Sequence, residues 1–146
     1  MDNTMDAALK HAQSRAQYMS RCSSTYIIHI ALKELGIPSE SESFYFAKNA
    51  VRFLCENPET TLTHGIYVAV GALNNPTVSE RSVENAIRRA IQIAWKNRDE
   101  KTWQCYFQVG RAGRTECPSN KEFLAAIRDF VELWKAFCEE VNYVNT

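Results

Sequence analysis

The sequence has little glycine and proline, with five and four residues respectively in a chain of 146. Collagen-like, low-complexity and wholly disordered chains are usually rich in these residues, so the composition disfavours those classes. The hydrophobic fraction of 45% and the charged fraction of 23% are those of ordinary globular domains. A chain of this length supports one hydrophobic core but not two independent ones. We therefore predict a single folded domain.

Long hydrophobic runs are also absent. The longest apolar stretch, Ile66 to Ala72, is far shorter than the roughly 20 residues that a membrane span needs. The N-terminal segment carries Asp2 and Asp6 and lacks the apolar core of a signal peptide. These observations predict a cytoplasmic protein without a membrane partner.

The sequence has no excess of charge and no catalytic or metal-binding motif. Seventeen basic residues balance seventeen acidic ones, so net charge alone does not indicate a nucleic-acid partner. The five cysteines form no C-x-x-C pair, and no phosphate loop, G-x-S-x-G or H-E-x-x-H motif is present. We predict no enzymatic activity, no metal site and no cofactor. A small hydrolase using His64 and a cysteine is the least favoured alternative.

Apolar residues recur at helical spacing along most of the chain and almost never alternate strictly. We predict an all-α domain of about six helices, with a helix-turn-helix and without a winged-helix sheet. Residues 1–22 are predicted to form an N-terminal arm, helical or disordered, and residues 23–142 the helical domain. The predicted helices begin at Ser24, at about Glu42, at Thr60 or Thr61, at Ser79 and at Ser119, with a short further segment around Trp103.

The helix predicted from Ser79 to about Arg98 is the most informative segment. It has one apolar stripe at a spacing of 3.6 residues and one polar face. Between Arg81 and Arg98 it contains five basic residues and one acidic residue, Glu84, so charge is concentrated here within a neutral chain. The polar face is made of Arg81, Glu84, Asn85, Arg88, Arg89, Gln92 and Lys96.

A helix, a tight turn containing Pro76 and an amphipathic helix are the parts of a helix-turn-helix. Arginine, asparagine, glutamine and glutamate are side chains that pair with base edges in the major groove. The same pattern is also typical of an ordinary solvated surface helix with pairs such as Glu84 to Arg88. Composition alone leaves both interpretations open.

Three stretches resemble one known family in the same order along the chain. Residues 83–95 read VENAIRRAIQIAW, residues 35–38 read LGIP, and residues 118–123 read PSNKEF. From about Ile27 to Lys135 the chain resembles the C-terminal DNA-binding effector domain of the sporulation response regulator family, stage zero sporulation protein A. The resemblance implies an all-helical domain that binds double-stranded DNA at short tandem boxes as a head-to-tail pair and acts on transcription.

The resemblance also implies roles for residues of the polar face. Glu84 and Arg88 match family residues that face DNA, and Arg89 replaces a histidine. Asn85 stands where the family has an arginine expected to read guanine, so recognition is expected to move toward adenine or to be lost. We predict that base edges are read by Glu84, Asn85, Arg88 and Arg89. We predict backbone contacts from Ser79, Arg81, Gln92, Lys96, Arg111 and Arg114.

The family's phosphorylatable receiver domain would precede this domain, and only about 25 residues do so here. We therefore expect no phosphorylation switch, and binding that is constitutive, dependent on pairing through the chain's own surfaces, or controlled by a partner. The alternative function is a non-enzymatic interaction module that no longer reads DNA and binds another transcription regulator. The neutral net charge and Asn85 favour that alternative.

Overall fold

The structure, a computed structural model, describes residue 10 and residues 23–57, 64–107 and 116–144. From residue 23 to residue 144, the described ranges contain six α-helices and no strand. This confirms the predicted all-α fold. The rest of the predicted N-terminal arm and the predicted start at Thr60 or Thr61 lie outside the described residues. The helices are α1 (Ser24–Glu34), α2 (Glu42–Glu56), α3 (His64–Ala72), α4 (Glu80–Lys96), α5 (Glu100–Tyr106) and α6 (Asn120–Val144).

Serine side chains set where four of the helices begin. The hydroxyls of Ser23, Ser41 and Ser79 each accept a hydrogen bond from the backbone N–H three residues later, at 3.1–3.2 Å. Ser119 accepts from the Glu122 N–H, and the Glu122 carboxylate accepts from the Ser119 N–H, both at 3.1 Å. This reciprocal pair is a capping box at the predicted helix start. Each cap satisfies a backbone donor that the first helical turn leaves without a partner.

The core lies around α2, which packs against α1, α3, α4 and α6. The largest fully buried side chains of the core include Phe46 of α2 and Phe123 of α6. Trp103 stacks on Phe107 with ring centroids 5.1 Å apart, and both rings are at most 6% exposed. The aromatic residues after α4 are therefore core residues, as their helical spacing indicates. None of the helices in the described ranges is long and apolar enough to cross a membrane.

A tight turn joins α3 to α4 and produces the predicted helix-turn-helix. The carbonyl oxygen of Gly71 accepts from the backbone N–H groups of Asn74 and Val78, at 3.2 and 3.1 Å. A Cβ atom at Gly71 would lie 2.0 Å from the carbonyl oxygen of Val78, so only glycine permits this approach. The turn therefore fixes the start of α4 against the end of α3.

The predicted end of α4 at Arg98 is two residues too far. Asn97 caps the helix after Lys96, with its side-chain amide donating to the Ile93 carbonyl oxygen at 3.0 Å. Arg98 folds back over α4, because its guanidinium lies 3.5 Å from the centroid of the Trp95 ring and donates to the Trp95 carbonyl oxygen at 2.8 Å. Arg98 is thus a packing residue at the end of the helix.

Candidate nucleic-acid interface

Neighbouring helices hold α4 on both flanks. Its apolar stripe is buried, with Val83, Ile87 and Ile91 at most 1% exposed. On one flank Ser43 of α2 donates from its hydroxyl to the Ala86 carbonyl oxygen at 3.1 Å. On the other flank the side chain of Asn120, at the start of α6, donates to the Glu84 carbonyl oxygen at 3.1 Å. These contacts leave one long face of α4 exposed.

The exposed face, which we call the outer face of α4, is polar along most of its length. It runs from Arg81 to Lys96, about 22 Å at 1.5 Å per residue. Asn85 lies midway across the width of this face and is half-buried. The exposed members are Arg81, Ser82, Arg88, Arg89, Gln92, Ile93 and Lys96.

Within the described part of the chain, three cations of the outer face have no partner. Arg81, Arg89 and Lys96 make no ion pair and no hydrogen bond with any residue that the structure describes. The fourth, Arg88, donates to the Glu84 carboxylate at 2.5 Å and to the side-chain oxygen of Asn85 at 3.0 Å. A charge that protein groups do not neutralise is available to an anionic partner such as phosphate.

The structure places Glu84 on the flank of α4 that faces α6, and not at the middle of the outer face. Its carboxylate pairs with Arg88, and its carbonyl oxygen receives the Asn120 amide. The pair between Glu84 and Arg88 is the one expected of a solvated surface helix. The same helix therefore carries the ion pair of an ordinary surface helix and three cations that make no ion pair among the described residues.

Ser79 has a structural role at the start of α4. Its hydroxyl oxygen accepts from the Ser82 N–H at 3.2 Å, and it lies 2.9 Å from the Ser82 hydroxyl. Gln92, by contrast, is exposed one turn after Arg88 and makes no hydrogen bond among the described residues. Arg111 and Arg114, the two predicted backbone contacts of the glycine-containing loop, lie outside the described residues.

A cleft of about 460 Å³ lies between the Glu84 flank of α4 and the start of α6. Beneath it the Asn120 amide also donates to the Tyr67 hydroxyl of α3 at 3.1 Å, so one side chain links three helices. Burial raises the pKa of the Tyr67 hydroxyl above its usual value. Arg88, Gln92 and Lys121 line the cleft beside these groups.

Sequence reasoning missed Asn120 and Tyr67 as positioning residues for α4. The first lies in the PSNKEF stretch that carries the family resemblance, and that stretch was the signal available. Tyr67 gave no signal, because an aromatic residue within an apolar helix is ordinarily core.

Two of the five thiols have a raised pKa. Burial raises the pKa of Cys55 to about 11, and burial also raises the pKa of Cys105. A thiol in this state is a weak nucleophile and a weak metal ligand at neutral pH. The part of the chain that the structure describes holds no group of three His, Cys, Asp or Glu side chains able to bind a metal ion.

A comparison with known families finds one match that covers most of the helical domain. The family model described as sporulation initiation factor Spo0A C terminal matches residues 28–131. The matched range runs from α1 into α6 and contains the whole of α3, the turn and α4. It therefore includes every residue of the outer face, and also Ser43 and Asn120, which hold its flanks.

Proposed function

The chain belongs to the family of Spo0A C-terminal domains, the DNA-binding domains of sporulation regulators, and from that membership we propose that it is a sequence-specific transcriptional regulator. Its partner is double-stranded DNA, and α4 is the recognition helix. The major groove of DNA is about 12 Å wide and admits one α-helix. The row of cations along the outer face of α4, three of which make no ion pair among the described residues, is the observation that carries the proposal.

The outer face makes two kinds of contact with the DNA in this proposal. Asn85, Arg88 and Arg89 lie near its centre and read base edges, with Glu84 holding Arg88 in place. Arg81 and Lys96 lie at its two ends, where a helix in the groove approaches the phosphates. The sugar-phosphate backbone of the DNA is also contacted by Ser79, Gln92, Arg111 and Arg114.

We also propose that two copies bind tandem sites head to tail, as the family resemblance implies. A single recognition helix contacts only a few base pairs, so two copies on adjacent boxes would lengthen the recognised sequence. Sedimentation of the protein with duplexes carrying one or two boxes tests this stoichiometry. A single copy bound to the duplex with two boxes, at protein concentrations that saturate the duplex with one box, would contradict the tandem arrangement.

A second candidate is an interaction module that binds another transcription regulator. Ile93 supports it, because this apolar side chain is 62% exposed on the helix that would enter the groove. The pairing of Arg88 with Glu84 supports it too, since the pair reduces the positive charge of the outer face. This candidate predicts no salt-dependent affinity for DNA.

Selection from a randomised duplex pool at two salt concentrations separates the two candidates. A DNA reader enriches a short motif and loses affinity steeply as salt rises, because phosphate binding releases counterions. The Arg88→Ala variant is expected to weaken binding to the enriched motif by about 1–3 kcal/mol. Salt-dependent binding without an enriched motif would contradict sequence-specific reading, and no retention at low salt would favour the interaction module.

A further inference from the structure

The outer face of α4 has two long edges, and a different neighbouring helix lies along each of them. Arg81, Arg88 and Gln92 lie on the same side of α4 as Glu84, because steps of three or four residues return to one side of a helix. The carbonyl oxygen of Glu84 receives the Asn120 amide of α6. We therefore call this side the α6 edge.

The opposite side, which we call the α2 edge, faces the start of α2. Ser82, Arg89 and Ile93 share this side with Ala86, again at steps of three or four residues. The carbonyl oxygen of Ala86 accepts from the Ser43 hydroxyl of α2. The first turn of α2 is thereby held beside this edge.

Acidic side chains border the α2 edge. Residues 37–42 lead from the end of α1 into α2, and the chain just before them lies against α4, since a Cβ atom at Gly36 would be 3.8 Å from the Cβ of Ala94. Glu40 and Glu42 of this segment are exposed and make no ion pair with any residue that the structure describes. A phosphate group approaching this edge would meet two negative charges.

A lysine borders the α6 edge. The cleft of about 460 Å³ separates this edge from the first turn of α6, and both Arg88 and Lys121 line it. Lys121 is exposed, and it makes no ion pair and no hydrogen bond among the described residues. The two carboxylates of the cleft have partners of their own, because Glu84 pairs with Arg88 and Glu122 accepts from the Ser119 N–H. The charge of Lys121 is therefore available to an anionic partner.

A helix in the major groove has a sugar-phosphate backbone on each side, because the two strands bound the groove. Each edge of the outer face then lies beside one strand, and the charges next to that edge decide whether the strand is attracted. We infer that Lys121 binds a phosphate of the strand that follows the α6 edge. The DNA interface thus extends beyond the helix-turn-helix to the first turn of α6.

This inference rests on the proposed DNA-reading function, and it is tested with the full-length chain and its selected duplex. Fluorescence anisotropy over a series of salt concentrations measures the affinity and its salt dependence. Lys121→Ala is expected to lower affinity about 2- to 5-fold and to reduce the slope of log K against log salt by about 1. Lys121→Arg keeps the positive charge and is expected to retain the wild-type slope.

Lys135→Ala is the matched control for the loss of one positive charge. Lys135 belongs to the same helix and lies 14 positions after Lys121, about 21 Å further along at 1.5 Å per residue. Its substitution is expected to leave the salt slope unchanged. Far-ultraviolet circular dichroism confirms that each variant retains its helices.

Single methylphosphonate substitutions in the duplex locate the contact. Each substitution replaces a charged phosphate oxygen by a methyl group and so neutralises one phosphate. At one position of the duplex, the substitution is expected to weaken binding of the wild type but to leave the affinity of Lys121→Ala nearly unchanged. At the other positions, the two proteins should lose affinity by similar factors.

Three results would overturn the inference while leaving the proposed function intact. The first is a wild-type salt slope for Lys121→Ala, and the second is an equal reduction of the slope by Lys135→Ala, which would show an effect of net charge alone. The third is a methylphosphonate series in which the wild type and Lys121→Ala respond alike at every position. A wild-type protein that enriches no motif would overturn the proposed function and this inference together.

Discussion

The side-chain amide of Asn120 donates a hydrogen bond to the carbonyl oxygen of Glu84, 36 positions earlier in the chain, at 3.1 Å. The same amide donates to the Tyr67 hydroxyl at 3.1 Å. The first turn of α6 is thereby attached both to α3 and to the segment of α4 that carries the ion pair between Glu84 and Arg88. The helix α4 is thus attached to a residue outside the helix-turn-helix.

Replacing Asn120 by alanine is expected to destabilise the domain. Two hydrogen bonds are lost, and the buried Tyr67 hydroxyl loses its donor. A buried polar group left without its partner costs about 1–3 kcal/mol of unfolding free energy. Urea denaturation measures the change, and Lys121→Ala, at an exposed neighbouring position, is the matched control with an effect within about 0.5 kcal/mol. Equal stability of the two variants would show that the Asn120 contacts do not hold α4.

Gly71→Ala is expected to disrupt the turn between α3 and α4. The new Cβ atom would lie 2.0 Å from the Val78 carbonyl oxygen, which belongs to the backbone and cannot rotate away. The start of α4 must then move, and we expect both a lower unfolding free energy and weaker DNA binding. Gly65→Ala, at an exposed position in the first turn of α3, is the control and should stabilise the helix by up to about 1 kcal/mol. A Gly71→Ala protein with wild-type stability would contradict the close approach.

The sequence predicts the parts of this fold that depend on local chemistry. Ser79 and Ser119 indicate helix starts, and the apolar spacing of α4 identifies Val83, Ile87 and Ile91 as its buried side. The sequence also predicts the ion pair between Glu84 and Arg88, because residues four apart on a helix are neighbours.

Contacts between distant segments could not be predicted in this way. Nothing in the sequence near Ser43 indicates that its side chain reaches a carbonyl oxygen of α4. The PSNKEF stretch marks the segment around Asn120 through the family resemblance, but it does not indicate the hydrogen bond to α4. Arg98 counts as a basic residue of α4 in the sequence, but its stacking on Trp95 depends on where the helix ends. The hydrogen bond between Asn85 and Arg88 also required the side-chain geometry, because either residue could have faced solvent alone.

Stability is expected to fall between about pH 9 and pH 11 through Cys55. Burial raises the pKa of its thiol from 9.0 to about 11, so the folded state keeps the proton over a pH range in which the unfolded chain releases it. The stabilisation is therefore complete below pH 9 and is lost as pH rises through 11. Urea denaturation at pH 8 and pH 10.5 should show a smaller decrease for Cys55→Ala than for the wild type. Equal decreases would show that the thiol does not remain protonated in the folded state.

Lys96→Ala is expected to weaken DNA binding by a similar factor for all sequences. Lys96 lies at the end of the outer face, where we place a phosphate contact, and it makes no ion pair with any residue that the structure describes. Loss of one such contact reduces the slope of log K against log salt by about 1. Fluorescence anisotropy over a series of salt concentrations measures the slope, and Lys33→Ala, on the exposed side of α1, is the control and should leave it unchanged. A wild-type slope for Lys96→Ala would exclude the phosphate contact.

Glu84→Gln is expected to raise affinity for unrelated DNA while reducing discrimination among sequences. The substitution removes a negative charge beside the outer face and weakens the restraint on Arg88, so the arginine can reach phosphates instead of remaining oriented toward one base edge. An exposed pair of this kind contributes only about 0.3–0.5 kcal/mol to folding, so stability should change little. Glu100→Gln is the matched control, because it changes the net charge equally and removes a pair with Arg98 away from the outer face. Anisotropy with the selected duplex and a scrambled duplex should show a lower ratio of affinities for Glu84→Gln than for Glu100→Gln. If the two variants gave the same ratio, the effect would come from net charge alone, and the carboxylate of Glu84 would have no role in orienting Arg88.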